Sequence, residues 1–225
     1  MVSQKLLVGR SHEPVLIFDD AGVDIARLMA AACALAPFPP SGNYYPGLRL
    51  PITSGMAIEA HVRDIVAFVS PEIFNCFDCT EIITADPSLS MVTLSPDQLS
   101  SDQQVPHFDS PDPNYLAMIV YLSDTADTGT AFYRQRSTGI ERVCRHTITL
   151  FLAAARATMA EGRGYTGSGD EAYEQIGAVR GVPGRVAIYR GGLLHSGMIP
   201  PTMSFSEDPR EGRLTLNVFM RVSRR

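Results

Sequence analysis

The sequence predicts an α+β protein that is mainly β, an antiparallel sandwich or barrel with supporting helices near its N-terminus. Short segments rich in β-branched and aromatic residues recur between Gly and Pro turns over about residues 81–225, a pattern typical of such folds. Residues 1–80 carry apolar residues at helical spacing and are expected to be helical support. With 225 residues and 45% hydrophobic content, the chain can form one sizeable core, so we expect a single domain over 1–225.

The first helix is predicted to follow a short buried strand. Four consecutive apolar residues indicate the strand, at positions 15–18. Asp19 or Asp20 then offers a side-chain oxygen that can cap the free N–H groups of a helix, and apolar residues recur at helical spacing from residue 25 to residue 32. Because proline cannot continue a helix, Pro37 is expected to end it.

A second helix is predicted beyond an irregular connection. The connection, residues 37–54, is rich in Pro and Gly. Residues 56–69 return to helical spacing, and Pro71 is expected to stop this helix because proline has no N–H to donate. The first third of the chain is therefore expected to supply two helices and one strand.

The rest of the chain is predicted to consist mostly of strands. The segments are short, contain β-branched and aromatic residues, and are separated by turn-forming residues. One alanine-rich helix is expected among them, at residues 147–161. The predicted strands are 81–85, 90–94, 115–122, 130–133, 173–179, 185–189 and 214–222.

Composition excludes several classes of function. The formal net charge of −5 at pH 7 gives no basic surplus, which a nucleic-acid-binding domain would normally carry, so we expect no nucleic-acid partner. No apolar run is long enough to span a membrane, and residues 1–10 lack the apolar core of a secretory signal. We therefore expect a cytoplasmic protein without a membrane partner.

The four cysteines predict neither a disulfide scaffold nor a metal site. They are few and unevenly spaced, unlike those of small disulfide-rich domains. Cys76 and Cys79 form a C-x-x-C, but the sequence offers no second pair to complete a zinc site. We expect these cysteines to be structural.

An H-x-D pair, His107 and Asp109, is the first candidate for chemistry. In an extended strand, residues two apart point to the same side, so the imidazole and the carboxylate would share one face while Phe108 points away. Two His and one carboxylate on one face of an octahedral metal leave three positions open. The pair alone is common, and two ordinary strand residues would give the same pattern.

His195 can supply the third ligand. It follows a predicted strand and lies between glycines, Gly191 and Gly192 before it and Gly197 after it, which allow a close approach of backbone and ligands. The other three histidines have no partner at metal-ligand spacing and are expected to be structural or on the surface; they are His12, His61 and His146.

A polar face on the last predicted strand is the second candidate. Arg213, Thr215 and Asn217 alternate there with apolar residues. A buried arginine is tolerated only when it is paired, and its guanidinium fits a carboxylate through two hydrogen bonds. An inward Arg213 therefore implies an anionic ligand. An outward polar face on an edge strand would imply no ligand.

The order of these motifs resembles that of the Fe(II)/2-oxoglutarate-dependent dioxygenases, in particular their prolyl-hydroxylase-like branch. The resemblance covers about residues 90–222 and implies a double-stranded β-helix, that is, a jelly-roll or cupin-like barrel. The spacing from His195 to Arg213 is longer than is usual for this family, and the loop-like segment 200–209 would account for it as an insertion. The motifs are His107-x-Asp109, Val120-Tyr121-Leu122-Ser123, Gly129-Thr130-Ala131-Phe132, His195 and Arg213.

By this resemblance the chain would be an oxygenase that hydroxylates an unactivated C–H bond of a small molecule, amino acid or peptide and forms succinate and CO2. It would use Fe(II), 2-oxoglutarate and O2, and could use ascorbate as well. The carboxylate of Asp109 favours hydroxylation, or a related desaturation or cyclisation, over halogenation. The implied iron ligands are His107, Asp109 and His195; Arg213 would bind the far carboxylate of 2-oxoglutarate, with Thr215 and Tyr121 assisting it.

Two other functions share these features. A cupin-like metalloenzyme that does not use 2-oxoglutarate would keep the same ligands, since ligand type alone does not fix the metal or the reaction. A non-catalytic binding module that retains the barrel is the other alternative. Arg213 distinguishes the cupin-like enzyme from a 2-oxoglutarate-dependent oxygenase, because an enzyme that does not bind 2-oxoglutarate needs no buried cation beside its metal ligands. The sequence leaves the oligomeric state open.

Two further features of the sequence indicate a function less clearly. Residues 162–167 satisfy G-x-G-x-x-G, but they follow a predicted helix instead of a strand, so no dinucleotide site is expected there. We expect a surface loop, with a flap over the barrel mouth, Gly162–Gly169, as the alternative. Four arginines can receive an acidic substrate or form a solvated face; they are Arg134, Arg136, Arg142 and Arg145.

Overall fold

A computed structural model describes residues 3–42, 44–158 and 164–224. Within these residues the chain forms ten strands, three α-helices and two short 3-10 helices, Pro96–Gln98 and Ser101–Gln104. The α-helices are α1 (Ile25–Leu35), α2 (Glu59–Phe77) and α3 (Ile148–Thr158). The strands are β1 (Ser3–Val8), β2 (Glu13–Phe18), β3 (Gly47–Pro51), β4 (Cys79–Val92), β5 (Tyr115–Tyr121), β6 (Gly129–Gln135), β7 (Tyr173–Arg180), β8 (Val186–Arg190), β9 (His195–Met198) and β10 (Arg213–Arg224).

The strands form two antiparallel sheets. The large sheet has seven strands in the order β1-β2-β8-β5-β10-β4-β3, and the small sheet has three in the order β7-β6-β9. Every neighbouring pair is antiparallel. The prediction of a mainly β, antiparallel α+β fold is therefore confirmed.

Strand β10 shows how the sheet divides apolar from polar residues. Its even-numbered residues, among them Leu214 and Leu216, pack in one core cluster with Leu28 of α1 and Ile65 of α2. The helices thus cover the outer face of the large sheet. The odd-numbered residues from Arg213 to Phe219 face the opposite way and line a cavity on the inner face. Because β10 lies between β5 and β4, the alternative of an outward polar face on an edge strand is wrong.

The small sheet faces the inner side of the large one. Phe132 and Val179 of the small sheet share a buried cluster with Ala117, Ala187 and Tyr189 of the large sheet. Helix α3 packs through Phe151 and other residues against the far side of the small sheet. Two helices therefore cover one sheet and one covers the other, with the cavity between the sheets.

Helix α2 differs from its prediction because it continues through Pro71 to Phe77. Its buried residues continue at helical spacing on both sides of the proline and include Val69, Ile73 and Phe77. Burial of these side chains, at roughly 1.5–3 kcal/mol each, outweighs the hydrogen bond that proline cannot donate. The prediction that Pro71 stops the helix is wrong for this reason.

The strands also differ from their predictions. The segments 81–85 and 90–94 belong to one strand, β4, because β10 pairs along its whole length, from Arg213 opposite Val92 to Arg224 opposite Cys79. The predicted connection 37–54 contains β3, and residues 1–80 supply the unpredicted β1 as well as β2, which confirms the strand predicted at 15–18. These three strands extend the large sheet at its two edges.

Helix α1 confirms the predicted end near Pro37, since its C-cap is Ala36. Its cap differs: Asp24, not Asp19 or Asp20, accepts the N–H of Arg27 at 2.9 Å. None of the helices described is both long and apolar enough to cross a membrane. Helix α3 confirms the predicted alanine-rich helix as far as Thr158, and residues 159–161 lie outside the described residues.

Candidate metal centre

His107, Asp109 and His195 meet at one point between the two sheets. One potential ligand atom from each of the three lies within 4.8 Å of the others. The Nε2 of His107 is 3.9 Å from Oδ1 of Asp109, and the Nε2 of His195 is 3.6 Å from Oδ2 of the same carboxylate. Neighbouring ligands of an octahedral metal lie roughly 3 Å apart, from bonds of about 2.1 Å. Small side-chain movements would therefore close the three around an ion.

Backbone hydrogen bonds bring the three residues together. His107 and His195 exchange two N–H···O=C bonds, each of 2.9 Å, in an isolated antiparallel bridge. The N–H of Asp109 donates to the carbonyl of Gly191 at 2.7 Å. His107 thus lies in this single bridge and Asp109 in the bend that follows it, so the prediction that both lie in a regular strand is wrong. The alternation holds nevertheless, because Phe108 points away and meets Phe151 edge-on.

Two glycines ahead of His195 permit this close approach. A Cβ on Gly191 would lie 2.5 Å from the ring of Tyr115 and 3.3 Å from the Cβ of Asp109. A Cβ on Gly192 would lie 2.6 Å from the carbonyl oxygen of Val143. Both distances under 3 Å are contacts that real side chains avoid, which agrees with the predicted role of these glycines.

The hydrogen-bond partners of the three side chains suit metal binding. The Nδ1 of His195 lies 2.8 Å from the carbonyl oxygen of Leu193, so Nδ1 carries the proton and the lone pair of Nε2 is free for a metal. Asp109 is 13% exposed, and its Oδ2 is buried without a hydrogen-bond partner among the described residues. A cation would stabilise a buried carboxylate oxygen in this situation, so the residues fit the ion that the sequence predicts.

Electrostatics keep the two imidazoles in the neutral form that binds metals. Burial lowers the pKa of His195 to about 4. The side chain of His107 faces the open cavity and is 54% exposed, yet the surrounding protein and the neighbouring His195 lower its pKa to about 4 as well. Burial raises the pKa of Asp109 to about 6, although His107 and Arg49 oppose the rise. At neutral pH the site therefore holds two neutral imidazoles and an ionised carboxylate.

The three residues open into a cavity of about 280 Å³. Arg213 and Thr215 of β10 line it, as predicted for an inward polar face. Arg213 is 6% exposed. Its Nη2 donates to the carbonyl of Gly129 at 2.9 Å, whereas its buried Nε has no hydrogen-bond partner in the described part of the chain. Residues 199–212, between β9 and β10, contain neither strand nor helix, which accounts for the long spacing to His195.

The two residues predicted to assist Arg213 differ in position. Thr215 lines the cavity, and its hydroxyl accepts a 3.3 Å hydrogen bond from the amide of Asn217. Tyr121 lies behind the cavity wall, where its hydroxyl donates to Thr130 at 2.8 Å. Thr130 is the member of this pair that reaches the cavity. Contact between Tyr121 and a ligand would therefore pass through Thr130.

Arg49 and Tyr45 line the same cavity and were not predicted. They lie at β3 and just before it, inside the segment expected to be an irregular connection. Leu48 and Leu50 flank Arg49 with strand-like alternation, but five residues next to prolines gave too short a signal. The two residues reach the cavity because β3 pairs with β4 at the cavity edge.

The structure describes residues 164–169 of the segment 162–169. Gly162 and Arg163 lie outside the described residues. Beyond them, the hydroxyl of Tyr165 donates to the carbonyl of Leu94 at 2.6 Å, and the hydroxyl of Thr166 donates to that of Gln104 at 2.8 Å. Tyr165 lines the cavity. The described part is therefore a hydrogen-bonded piece of the cavity wall.

Two members of the arginine cluster form close ion pairs within the protein, and a third, Arg136, lies 3.9 Å from Glu174. Arg134 lies 2.7 Å from Glu141 and 3.0 Å from Glu174, and Arg142 lies 2.8 Å from Glu13. Arg134 is buried in this network. These two arginines therefore serve the fold and are not placed to receive an acidic substrate.

A family model matches residues 1–220, under the description "family of unknown function (DUF6445)". The chain belongs to this family. No curated protein matches the sequence. The DUF6445 chain is similar in structure to HygX from Streptomyces hygroscopicus in its apo form, with 13% identity, a TM-score of 0.53, and coverage of 93% of this chain and 82% of HygX.

HygX with nickel and 2-oxoglutarate bound gives 14% identity and a TM-score of 0.52 over 93% of this chain and 83% of HygX. A prolyl-4-hydroxylase from Pseudomonas putida gives 13% identity and a TM-score of 0.47 over 96% and 95% of the two chains. At such identities the likeness to HygX establishes a shared fold. The predicted resemblance to the 2-oxoglutarate-dependent dioxygenases is thus confirmed at the level of the fold.

Proposed function

We propose that this DUF6445 protein is an Fe(II)- and 2-oxoglutarate-dependent oxygenase. It hydroxylates an unactivated C–H bond of a small molecule, an amino acid or a peptide, and releases succinate and CO2. One observation carries the proposal: three side chains at metal-ligand spacing share a cavity with an arginine whose buried Nε has no partner among the described residues. The nickel and 2-oxoglutarate bound in HygX support the same two ligands here.

The proposed metal ligands are His107, Asp109 and His195. Two imidazoles and one carboxylate on one face of Fe(II) leave three positions for cosubstrate and O2. The hydrogen bond from Nδ1 of His195 to Leu193 orients that ring before any metal arrives. Asp109 occupies the carboxylate position of the site, so hydroxylation, or a related desaturation or cyclisation, is expected in place of halogenation.

The proposed anchor for 2-oxoglutarate is Arg213. Its guanidinium can bind the carboxylate farthest from the metal through charge-assisted hydrogen bonds, and the unpartnered Nε is one of the donors that such a ligand would satisfy. Thr215 adds a hydroxyl on the same face, and Tyr121 holds Thr130 at the cavity wall. A cupin-like metalloenzyme without 2-oxoglutarate would leave this buried cation without a ligand.

The protein's own part in the reaction is to bind, orient and shield. Bound Fe(II), with 2-oxoglutarate and O2, supplies the oxidising chemistry that inserts oxygen into a C–H bond; ascorbate serves as a reductant that keeps the iron ferrous. Ile119, Tyr189 and Phe219 form apolar parts of the cavity wall and exclude water from the reacting atoms. We propose that the two facing sheets form the double-stranded β-helix, a jelly-roll barrel, that holds these groups rigid.

Anaerobic spectroscopy tests the proposal directly. Fe(II) and then 2-oxoglutarate are added to the protein without O2, and a visible charge-transfer band of the chelated complex is expected. His107→Ala should abolish the band, while His146→Ala, a substitution of an exposed histidine, should leave it unchanged. Admission of O2 should then produce succinate. A wild-type protein without the band, or with an identical band in His107→Ala, would refute the proposed iron site.

A further inference from the structure

Arg49 is a second cation in the cavity, separate from Arg213. The register of the large sheet places Arg49 of β3 opposite Ser90 of β4, which lies opposite Thr215 of β10. Arg49 therefore lies two strands away from β10. Along the strand direction, its position differs from that of Arg213 by two residues. With strands about 4.8 Å apart and a rise of about 3.4 Å per residue, the two arginine backbones lie roughly 12 Å apart. The two guanidinium groups therefore enter the cavity from different strands of the sheet and from different rows of residues.

Contacts on both sides hold the guanidinium of Arg49 in one orientation. Its Cζ lies 4.4 Å from the centre of the Tyr45 ring and 5.5 Å from that of Phe219. Its Nε donates to the hydroxyl of Ser90 at 3.0 Å. These contacts fix the plane of the group and leave the outer edge, with the two Nη atoms, for a ligand. Among the described residues, no hydrogen bond from either Nη and no carboxylate within ion-pair distance is found.

Once the metal and 2-oxoglutarate are bound, the charge balance of the cavity would leave Arg49 without a counter-ion of its own. In the proposed complex, the divalent metal and Arg213 are balanced by Asp109 and the two carboxylates of 2-oxoglutarate. Asp102 is exposed at the cavity lining and is not paired with Arg49. A half-buried guanidinium in an otherwise largely apolar wall gains most from an anion that brings its own charge.

We propose that Arg49 binds a carboxylate of the primary substrate, which makes the substrate class a small carboxylic acid with an apolar or aromatic body. This inference rests on the proposed function and narrows it. Tyr45 and Phe219 flank the guanidinium and would contact the carbon skeleton beside the carboxylate, while the exposed Tyr44 stands at the entrance. Arg49 is therefore a specificity-determining residue, and it orients the acid so that its body extends toward the three metal-ligand residues.

Calorimetric titration with matched acids and amides tests this assignment. The probes are hexanoate, 3-phenylpropanoate and N-acetyl-L-phenylalaninate, each compared with its carboxamide. They are titrated into the protein loaded with Ni(II) and 2-oxoglutarate, which cannot turn over, and into the metal-free protein. We expect at least one acid to bind wild type about tenfold more tightly than its amide. Arg49→Met should remove that difference by weakening acid binding alone, and Arg49→Lys should retain part of it.

The remaining variants separate this inference from the proposed function. Arg49→Met should keep wild-type affinity for 2-oxoglutarate, and Arg63→Met, at an exposed position of α2, should change neither ligand. If Arg49→Met does not fold by circular dichroism, Arg49→Gln takes its place. Four results would each overturn the assignment. They are equal binding of acids and amides by wild type, no binding of any acid, unchanged acid binding in Arg49→Met, and a loss of 2-oxoglutarate affinity in Arg49→Met. Failure of wild type to bind metal and 2-oxoglutarate would remove the proposed function, while the metal-free titration still reports on Arg49.

Discussion

His107 and His195 are joined through their backbones: each donates its N–H to the carbonyl of the other at 2.9 Å. This antiparallel pairing brings the two rings to 4.3 Å between their centres. The same stretch holds Asp109 through its N–H bond to Gly191. The relative positions of the three residues are therefore set by main-chain hydrogen bonds that do not depend on a metal, so the proposed site should be largely formed in the metal-free protein.

Removal of one ligand should abolish metal binding without unfolding the protein. In His107→Ala and in Asp109→Ala, we expect metal affinity to fall by more than the roughly 10–100-fold that follows loss of an outer hydrogen-bond partner. Metal content after dialysis against Fe(II) or Ni(II) measures it, and circular dichroism checks the fold. His146→Ala is the matched control. Wild-type metal content in either ligand variant would contradict the assignment.

The sequence predicted which three side chains come together better than it predicted their setting. His107, Asp109 and His195 carry a residue-type signal that survives any error in the strand assignment, and the alternation around Arg213 is a local property of β10. By contrast, the pairing that forms β3 and places Arg49 in the cavity arises from β4, which is distant in the chain. Helix α2 continues past Pro71 for a similar reason, because its buried face, not its local propensity, decides its length.

In the metal-free protein, Asp109→Asn should be stabilising. Burial raises the pKa of Asp109 from 3.8 to about 6, so the folded state binds this proton more tightly than the unfolded state does. Through this group, stability is lost as pH rises from about 4 to about 6. At pH 7 we expect the Asn variant to exceed metal-free wild type by about 1–3 kcal/mol in urea unfolding. The difference should vanish below pH 4, and a destabilised variant at pH 7 would show that burial of the charge is not the dominant effect.

Arg213→Met should weaken 2-oxoglutarate and leave the metal. The guanidinium would lose charge-assisted hydrogen bonds, so we expect 2-oxoglutarate affinity to fall about tenfold to a hundredfold. Arg213→Lys should recover part of that loss, since it restores the charge without the planar fork. Equilibrium dialysis with Ni(II) gives both affinities in one experiment. Unchanged affinity for 2-oxoglutarate would favour the metalloenzyme that does not use this cosubstrate.

Glu141 links the N-terminal turn to the proposed metal site, and its neutralisation should reduce stability. Its carboxylate accepts hydrogen bonds from the N–H groups of Arg10 and Ser11, the hydroxyl of Ser11 and the Nε of Arg134. Its main-chain carbonyl accepts the N–H of Leu194, the residue before His195. Burial raises the pKa of Glu141, but the hydrogen bonds outweigh it and lower the pKa from 4.5 to about 2.

Because the folded pKa of Glu141 lies below the unfolded one, its contribution is present above about pH 4.5 and is lost as pH falls toward 2. Glu141→Gln should therefore cost about 2–3 kcal/mol at pH 7, and the difference from wild type should shrink steadily below pH 4.5. Urea unfolding across this range measures it, with the exposed Glu207→Gln as control. A difference that does not depend on pH would mean that the glutamate acts through its shape and not through its charge.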